Sequence, residues 1–213
     1  MKNFDAFLAE SAKYGTGVNL VFEAGMYSLS GDVGNIVKAL REAGVSFEIV
    51  GGVAVNSHIL PLHRSRSFVT RDIDVLLDRN DLERAAKAAE PLGYRAKKMM
   101  GGYTLIRLEQ ELAEAVHLLF AGEKSKSTHL LPYPRLHPEE RDFLGISVPI
   151  APRRDLLQME LTSFRPKDLV HLEILDEAGL ITPALEKDLP LVLRQRLGEA
   201  RKQIADGKPD IEV

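Results

Sequence analysis

The chain has 213 residues, of which 45% are hydrophobic and 28% charged, and a formal net charge of −3. That is the composition of a globular chain long enough to bury a core, and the near balance of charge excludes binding to nucleic acid through a general excess of lysine and arginine, while leaving room for a local basic groove. Cysteine is absent, which excludes disulfides and thiolate metal sites; no apolar run approaches the roughly 20 residues of a membrane span, and Met1-Lys2-Asn3-Phe4-Asp5 opens no signal peptide, so a cytoplasmic location without a membrane partner is expected.

Taken in chain order, residues 1 to 14 look helical, and Ser30-Gly31-Asp32 precedes a helix expected from Val33 to Ala43, with Ile36, Val37 and Leu40 on one side. A strand over 46 to 50 runs into Gly51-Gly52, and Val53 to Leu60 reads as a helix stopped by Pro61. A strand over 73 to 78 leads to a helix over 81 to 90, with Asp81 as its cap and Gly93 as its stop. Further strands are expected over 103 to 108, 115 to 120 and 146 to 150, and helices over 153 to 163, 167 to 178 and 183 to 206, the last interrupted at Pro190. Leu169, Leu172 and Leu175 recur at helical spacing and predict core contacts. The pattern predicts an α/β (α+β) mixed sheet flanked by helices over 1 to 150, with a helical C-terminal part over 151 to 213.

Thr70-Arg71-Asp72-Ile73-Asp74, followed by Val75-Leu76-Leu77, carries the strongest chemical signal. Alternation along a strand puts Asp72 and Asp74 on one face, roughly 6.5 Å apart at about 3.3 Å per residue, where they can converge on a hard divalent cation. Glycines between a strand and a helix let backbone N–H groups approach an anion, so Gly51 and Gly52 are candidates for a phosphate cradle. The basic loop His63-Arg64-Ser65-Arg66-Ser67 lies between these two features and could reach a triphosphate. Ser125-Lys126-Ser127-Thr128-His129, followed by Pro132, Pro134 and Pro138, reads as a polar loop, an ordinary surface loop in preference to a mobile flap near the substrate.

On Gly51-Gly52, Ala54, His58, Thr70, Asp72, Asp74, Arg165, Lys167 and Asp168, the chain resembles the nucleotidyltransferase superfamily related to DNA polymerase beta, in particular its bacterial branch of abortive-infection-type toxins, over about residues 34 to 180. That branch reads G-G-x-A-x-x-x-H, then R-x-T-x-D-x-D, then a strand with a third Asp, then a helix with Lys and R-x-K-D-x-x-D. The resemblance implies a nucleotidyltransferase fold and transfer of a nucleoside monophosphate from an NTP to an acceptor hydroxyl. It implies Asp72 and Asp74 on Mg²⁺ or Mn²⁺, Gly51, Gly52, Arg66 and Thr70 toward the nucleotide, and Arg165 and Lys167 closing over it. RNA, a protein side chain and a small molecule remain open as acceptors, and the toxin branch implies an antitoxin-like protein partner.

Four positions depart from the pattern: Phe68 for Arg, His117 for the third Asp, Glu160 for the helix Lys, and His171 for the last Asp. By strand parity His117 lies on the side of Ala115 and Leu119, where it could ligate metal or accept a proton, whereas Glu114 faces the other way. Two readings stay open: an enzyme that uses His117 as an improvised ligand or base, and a catalytically degenerate relative acting as a nucleotide-binding or protein-interaction module.

Overall fold

The computed structural model describes residues 17–99, 102–107 and 115–207, with side chains from residue 24 onward. The helix expected over residues 1 to 14, and Glu114, lie outside the described residues. The first described helix, α1 (Gly17–Glu42), buries Met26, Leu29, Val33, Ile36, Val37 and Leu40 at helical spacing. It begins well before the expected Val33. Ser30 does not cap a helix; its hydroxyl donates to the Tyr27 carbonyl at 2.8 Å, and Asp32 accepts from Arg107 at 2.7 Å. The apolar stripe continues through these polar residues and outweighs the local capping signal.

Seven strands form one mixed sheet: β1 (Phe47–Val50), β2 (Ile73–Leu77), β3 (Tyr94–Met99), β4 (Gly102–Arg107), β5 (Val116–Phe120), β6 (Glu139–Phe143) and β7 (Ile146–Ile150), in the order β3-β4-β5-β2-β1-β7-β6. β2 and β5 run parallel, as do β1 and β7; the other neighbours are antiparallel. β3 and β6 were not expected from the sequence. Both are edge strands with one buried residue apiece, Tyr94 and Phe143, so their sequences lack the apolar alternation that marks a strand.

The helices are α2 (Gly51–Ile59), α3 (Leu82–Ala89), α4 (Arg153–Ser163), α5 (Pro166–Glu177), α6 (Pro183–Asp188) and α7 (Leu191–Ala205). The helix expected over 183 to 206 is interrupted at Pro190 as expected, giving α6 and α7. Asp81 stands at the N-cap of α3 as expected, but its side chain makes no capping bond; it accepts from the Ser46 amide at 3.4 Å and pairs with Arg84 at 2.9 Å. Leu169, Leu172 and Leu175 are buried in the core as expected. No helix among the described residues is long and apolar enough to cross a membrane.

The two sheet faces differ. Phe47, Ile49, Val75, Leu77, Leu118 and Phe120 join α1 in the main core. Val50, Leu76 and Leu119 point to the opposite face, under Tyr133, Ala151 and Met159 in a smaller cluster. Glu48 is fully buried, its Oε2 accepting from the His137 amide at 2.9 Å. Burial pushes its carboxyl up to about 7 from 4.5, against the lowering effect of that amide. Because the folded value is the higher one, this contribution to stability is intact below pH 4.5 and is lost as the pH rises through 7. Glu48→Gln should therefore match wild type near pH 4 and exceed it near pH 8, by about 3 kcal/mol in urea unfolding. The same difference at both pH values would contradict the assignment.

Candidate active site

Strand register builds the centre of the site. Val50 on β1, Asp74 on β2, His117 on β5 and Thr104 on β4 stand side by side across four strands. A cleft of about 260 Å³ opens on this row, and Asp74, Thr104, His117, Glu160, Arg165 and Lys167 line it. Its walls come from α4, the start of α5 and the loop after β5.

Asp72 lies just before β2, and its Oδ2 is 3.8 Å from His117 Nε2; the other ring nitrogen, Nδ1, is 3.2 Å from Thr104 Oγ1. The side chains of His117 and Asp72 are 37% and 35% exposed, so the pair is not a buried structural salt bridge, and His117 lines the cleft. The interaction with Asp72 raises the His117 pKa above its ordinary value, against burial, and Asp74 adds to the rise. Asp72 is lowered by the same interaction, against burial, with help from Lys167 and Arg165. Two solvent-accessible carboxylates around one imidazole are a donor set that fits Mg²⁺ or Mn²⁺, with water and phosphate completing the coordination. The imidazole nitrogen suits Mn²⁺ better than Mg²⁺.

The two glycines serve these side chains. Gly51 has φ +61, and a Cβ built on it would lie 2.2 Å from Asp74 Oδ2; one on Gly52 would lie 2.9 Å from Thr70 Cβ and Oγ1. What crowds the Cβ positions of both glycines is therefore protein, Asp74 on one and Thr70 on the other. Gly51 lines the cleft, whereas Gly52 is buried. A bulky residue at Gly52 would strike Thr70 and so could not serve as a probe of phosphate binding.

The remaining expected residues divide. Arg165 is the residue before α5, and Asp168 holds it by accepting from its amide at 2.7 Å, from Nε at 3.0 Å and from Nη2 at 2.9 Å. Lys167, in the first turn of α5, lines the cleft beside it. Arg66 is not among the lining residues; its guanidinium pairs with Glu177 at the end of α5. His58 is buried with Nε2 2.9 Å from the Ala151 carbonyl, and burial takes its pKa down to about 4, so it ties α2 to the end of β7 as a neutral ring. The structure thus gathers Gly51, Asp72, Asp74, His117, Arg165 and Lys167, packs Thr70 against Gly52, and places Arg66 elsewhere.

Three of the four departures from the family pattern touch one another. His171 Nδ1 is 3.1 Å from Glu160 Oε1, both residues are buried, and the His171 ring stacks on Phe68 with centroids 5.1 Å apart. Burial pushes Glu160 up to about 7, opposed by the bond to His171. Glu160, Asp168 and His171 bring ligand-type atoms within 4.8 Å of one another, yet Asp168 is already committed to Ser163 and Arg165. The trio is best described as a strut beneath Arg165. His171→Ala should cost about 2–4 kcal/mol, because it leaves Glu160 buried without its partner and removes the ring that Phe68 packs on. In a double-mutant cycle Glu160→Leu should recover part of that loss; purely additive effects in chemical denaturation would separate the two residues.

Sequence reasoning gave one wall too little weight. Ser125, Lys126, His129 and Tyr133 line the cleft, although their segment reads as an exposed polar loop. His129 and Tyr133 are buried, and Ser125 Oγ lies 2.7 Å from the Tyr133 hydroxyl and 3.5 Å from His129 Nδ1. An imidazole and a phenol within a lysine- and serine-rich stretch were the available signal.

No protein-family model and no curated protein matches the sequence. Among solved structures the chain is similar to the antibiotic-resistance factor ANT(2'')-Ia, at 15% identity over 81% of this chain and 82% of that one, with a TM-score of 0.43. It is similar also to an antigenic nucleotidyltransferase-like protein from Paracoccidioides brasiliensis, at 13% identity over 86% and 89% of the two chains, with a TM-score of 0.48. A third is a tRNA nucleotidyltransferase complexed with a primer tRNA and an incoming ATP analog, at 16% identity over 78% of this chain and 50% of that one, with a TM-score of 0.35. Likenesses at this level assign no residue of the cleft a role.

Proposed function

We propose that this chain is a divalent-metal-dependent nucleotidyltransferase that moves a nucleoside monophosphate from an NTP to an acceptor hydroxyl. The observation that carries the reading is the placement of Asp74 in register with His117 at one cleft that Arg165 and Lys167 also line, with Asp72 3.8 Å from the same imidazole. Carboxylates for a cation and cations for phosphates converge there from different parts of the chain. Asp72 and Asp74 would hold Mg²⁺ or Mn²⁺, which when bound neutralises charge on the triphosphate. Arg165, fixed by Asp168, and Lys167 would orient the phosphates. The acceptor oxygen then bonds to the α-phosphorus while the bond to the bridging oxygen breaks and pyrophosphate departs. The hydroxyl proton passes to the neutral imidazole of His117.

A second reading, a nucleotide-binding module without turnover, is favoured by one observation: both ring nitrogens of His117 face other groups of the chain, Nδ1 at 3.2 Å from Thr104 Oγ1 and Nε2 at 3.8 Å from Asp72 Oδ2. The antitoxin-like partner and the cytoplasmic setting rest on the family resemblance and on composition, and belong to this proposal. The two readings separate in a label-transfer experiment with α-labelled NTPs, offered RNA, protein and small-molecule acceptors with Mg²⁺ or Mn²⁺. Transfer that His117→Ala removes supports the enzyme. Metal-dependent NTP binding without transfer supports the module, and neither binding nor transfer sinks both.

A further inference from the structure

A second cavity, of about 240 Å³, adjoins the first. The two share Met99, Gly102, Tyr103, Ser125 and Tyr133, so they meet along these residues. The second part differs in charge. Its charged lining residues are Arg79, Lys98, Glu123 and Lys124.

Glu123 is fully matched by Arg79, whose Nε and Nη2 lie 2.6 and 2.5 Å from its two carboxylate oxygens. Arg79 is held in turn over the Phe120 ring, 3.8 Å from its centroid. That pair neutralises itself and forms a rigid wall. Lys98 and Lys124 are then left with no ion-pair partner among the described residues, and the cavity carries an excess of two positive charges. Lys126, on the same loop as Lys124, lines the adjoining cleft.

Lysines on an edge strand commonly serve to prevent strand-to-strand aggregation, and that accounts for Lys97 and Lys98 on β3. It does not account for Lys124, which comes from the loop after β5, nor for a concave space that Lys98 and Lys124 line together beside the cleft. A concave wall of this charge attracts an anion and repels a polycation.

We infer that this second cavity is an acceptor subsite that holds a phosphate group of the acceptor, with Lys98 and Lys124 as its recognition residues. The inference deepens the nucleotidyltransferase reading: the NTP occupies the cleft at Asp74, and the acceptor enters along Tyr103 and Tyr133 with a phosphate anchored between the two lysines. The acceptor is therefore anionic, and a polycationic acceptor is disfavoured by the same charges. Two sources supply such a phosphate, a nucleic-acid strand and a phosphorylated small molecule.

The test measures binding without NTP, so it does not depend on turnover. A fluorescein-labelled single-stranded 12-nucleotide RNA is titrated by anisotropy and glucose 6-phosphate by calorimetry, against wild type, Lys98→Glu/Lys124→Glu and Lys98→Arg/Lys124→Arg, with NTP and Mg²⁺ binding measured in parallel. The expected result is that charge reversal weakens the bound probe at least about 10-fold, with a shallower salt dependence, while the arginine variant keeps its affinity and all three bind NTP alike. Binding of the RNA alone names a strand as the source, and binding of the sugar phosphate alone names a small molecule. No binding of either probe to wild type, or equal binding to the charge-reversed variant, overturns the subsite. Charge-dependent probe binding without any NTP binding would leave the phosphate site standing while removing the nucleotidyltransferase reading.

Discussion

Asp74→Asn, alone or with Asp72→Asn, is expected to abolish metal-dependent NTP binding and to lower nucleotidyl transfer by on the order of 10³-fold or more, while the chain remains folded. The expectation follows from where these carboxylates sit. Asp74 lines the cleft and stands in register with His117, and Asp72 approaches the same ring from one residue before the strand. Neither carboxylate holds the core together: alternation turns Ile73, Val75 and Leu77 into the main core and leaves Asp74 on the opposite face. Stability should therefore change by little, and loss of a carboxylate near the cation cannot be offset by Glu160, which is buried and bonded to His171. Calorimetry with each NTP, with and without Mg²⁺ or Mn²⁺, and thermal melts of the same samples check both halves. Unchanged metal-dependent binding in a folded double variant would remove the metal site from Asp72 and Asp74.

Gly51→Ala is expected to produce the largest loss of stability of any single methyl group added at the site. Its backbone is left-handed at φ +61, which costs a residue with Cβ about 1–2 kcal/mol. The new Cβ would also lie 2.2 Å from Asp74 Oδ2, so Asp74 or the backbone must move. Together these should cost about 3 kcal/mol, or a fall in Tm of about 6–12 °C for a chain of this size. Metal-dependent nucleotide binding should fall with it, because the displaced group is Asp74. Gly93→Ala is the control: it has φ +86 but nothing within 4 Å, so only the backbone part of the loss should appear. In an Asp74→Ala background the nearest remaining atom is Cβ at 3.2 Å, and the penalty of Gly51→Ala should shrink accordingly. Equal losses at Gly51 and Gly93 would mean that Asp74 does not pack on the glycine.

The resemblance aligns Gly51-Gly52 and the pair Asp72-Asp74 as two separate motifs, and the structure joins them. The usual reason for a glycine turn before a helix, close approach of a phosphate, is here preceded by an internal one, close approach of Asp74 and Thr70. Such contacts are invisible to local pattern because they join residues of two distant segments, and that of Gly51 with Asp74 depends on the antiparallel pairing of β1 with β2. Glu160 and His171 show the same effect. Read one at a time each is a departure from a motif, and only packing α4 against α5 reveals that they are partners.

What the sequence determined by itself was local in origin: the apolar runs of β1, β2, β5 and β7, the leucine stripe of α5, the breaks at Pro61 and Pro190, and the alternation that gives Asp74 and Ile73 opposite faces. Hydrophobic period and backbone restriction act within a few residues, so they can be read without knowing the fold. Tertiary structure decided the rest. It set the order of the strands and hence the row of Asp74, His117 and Thr104, sent Arg66 to Glu177 and away from the cleft, and turned Ser125, His129 and Tyr133 from a polar loop into a wall. Those outcomes depend on register between distant strands and on which charged groups meet across the surface, and neither quantity has a period along the chain.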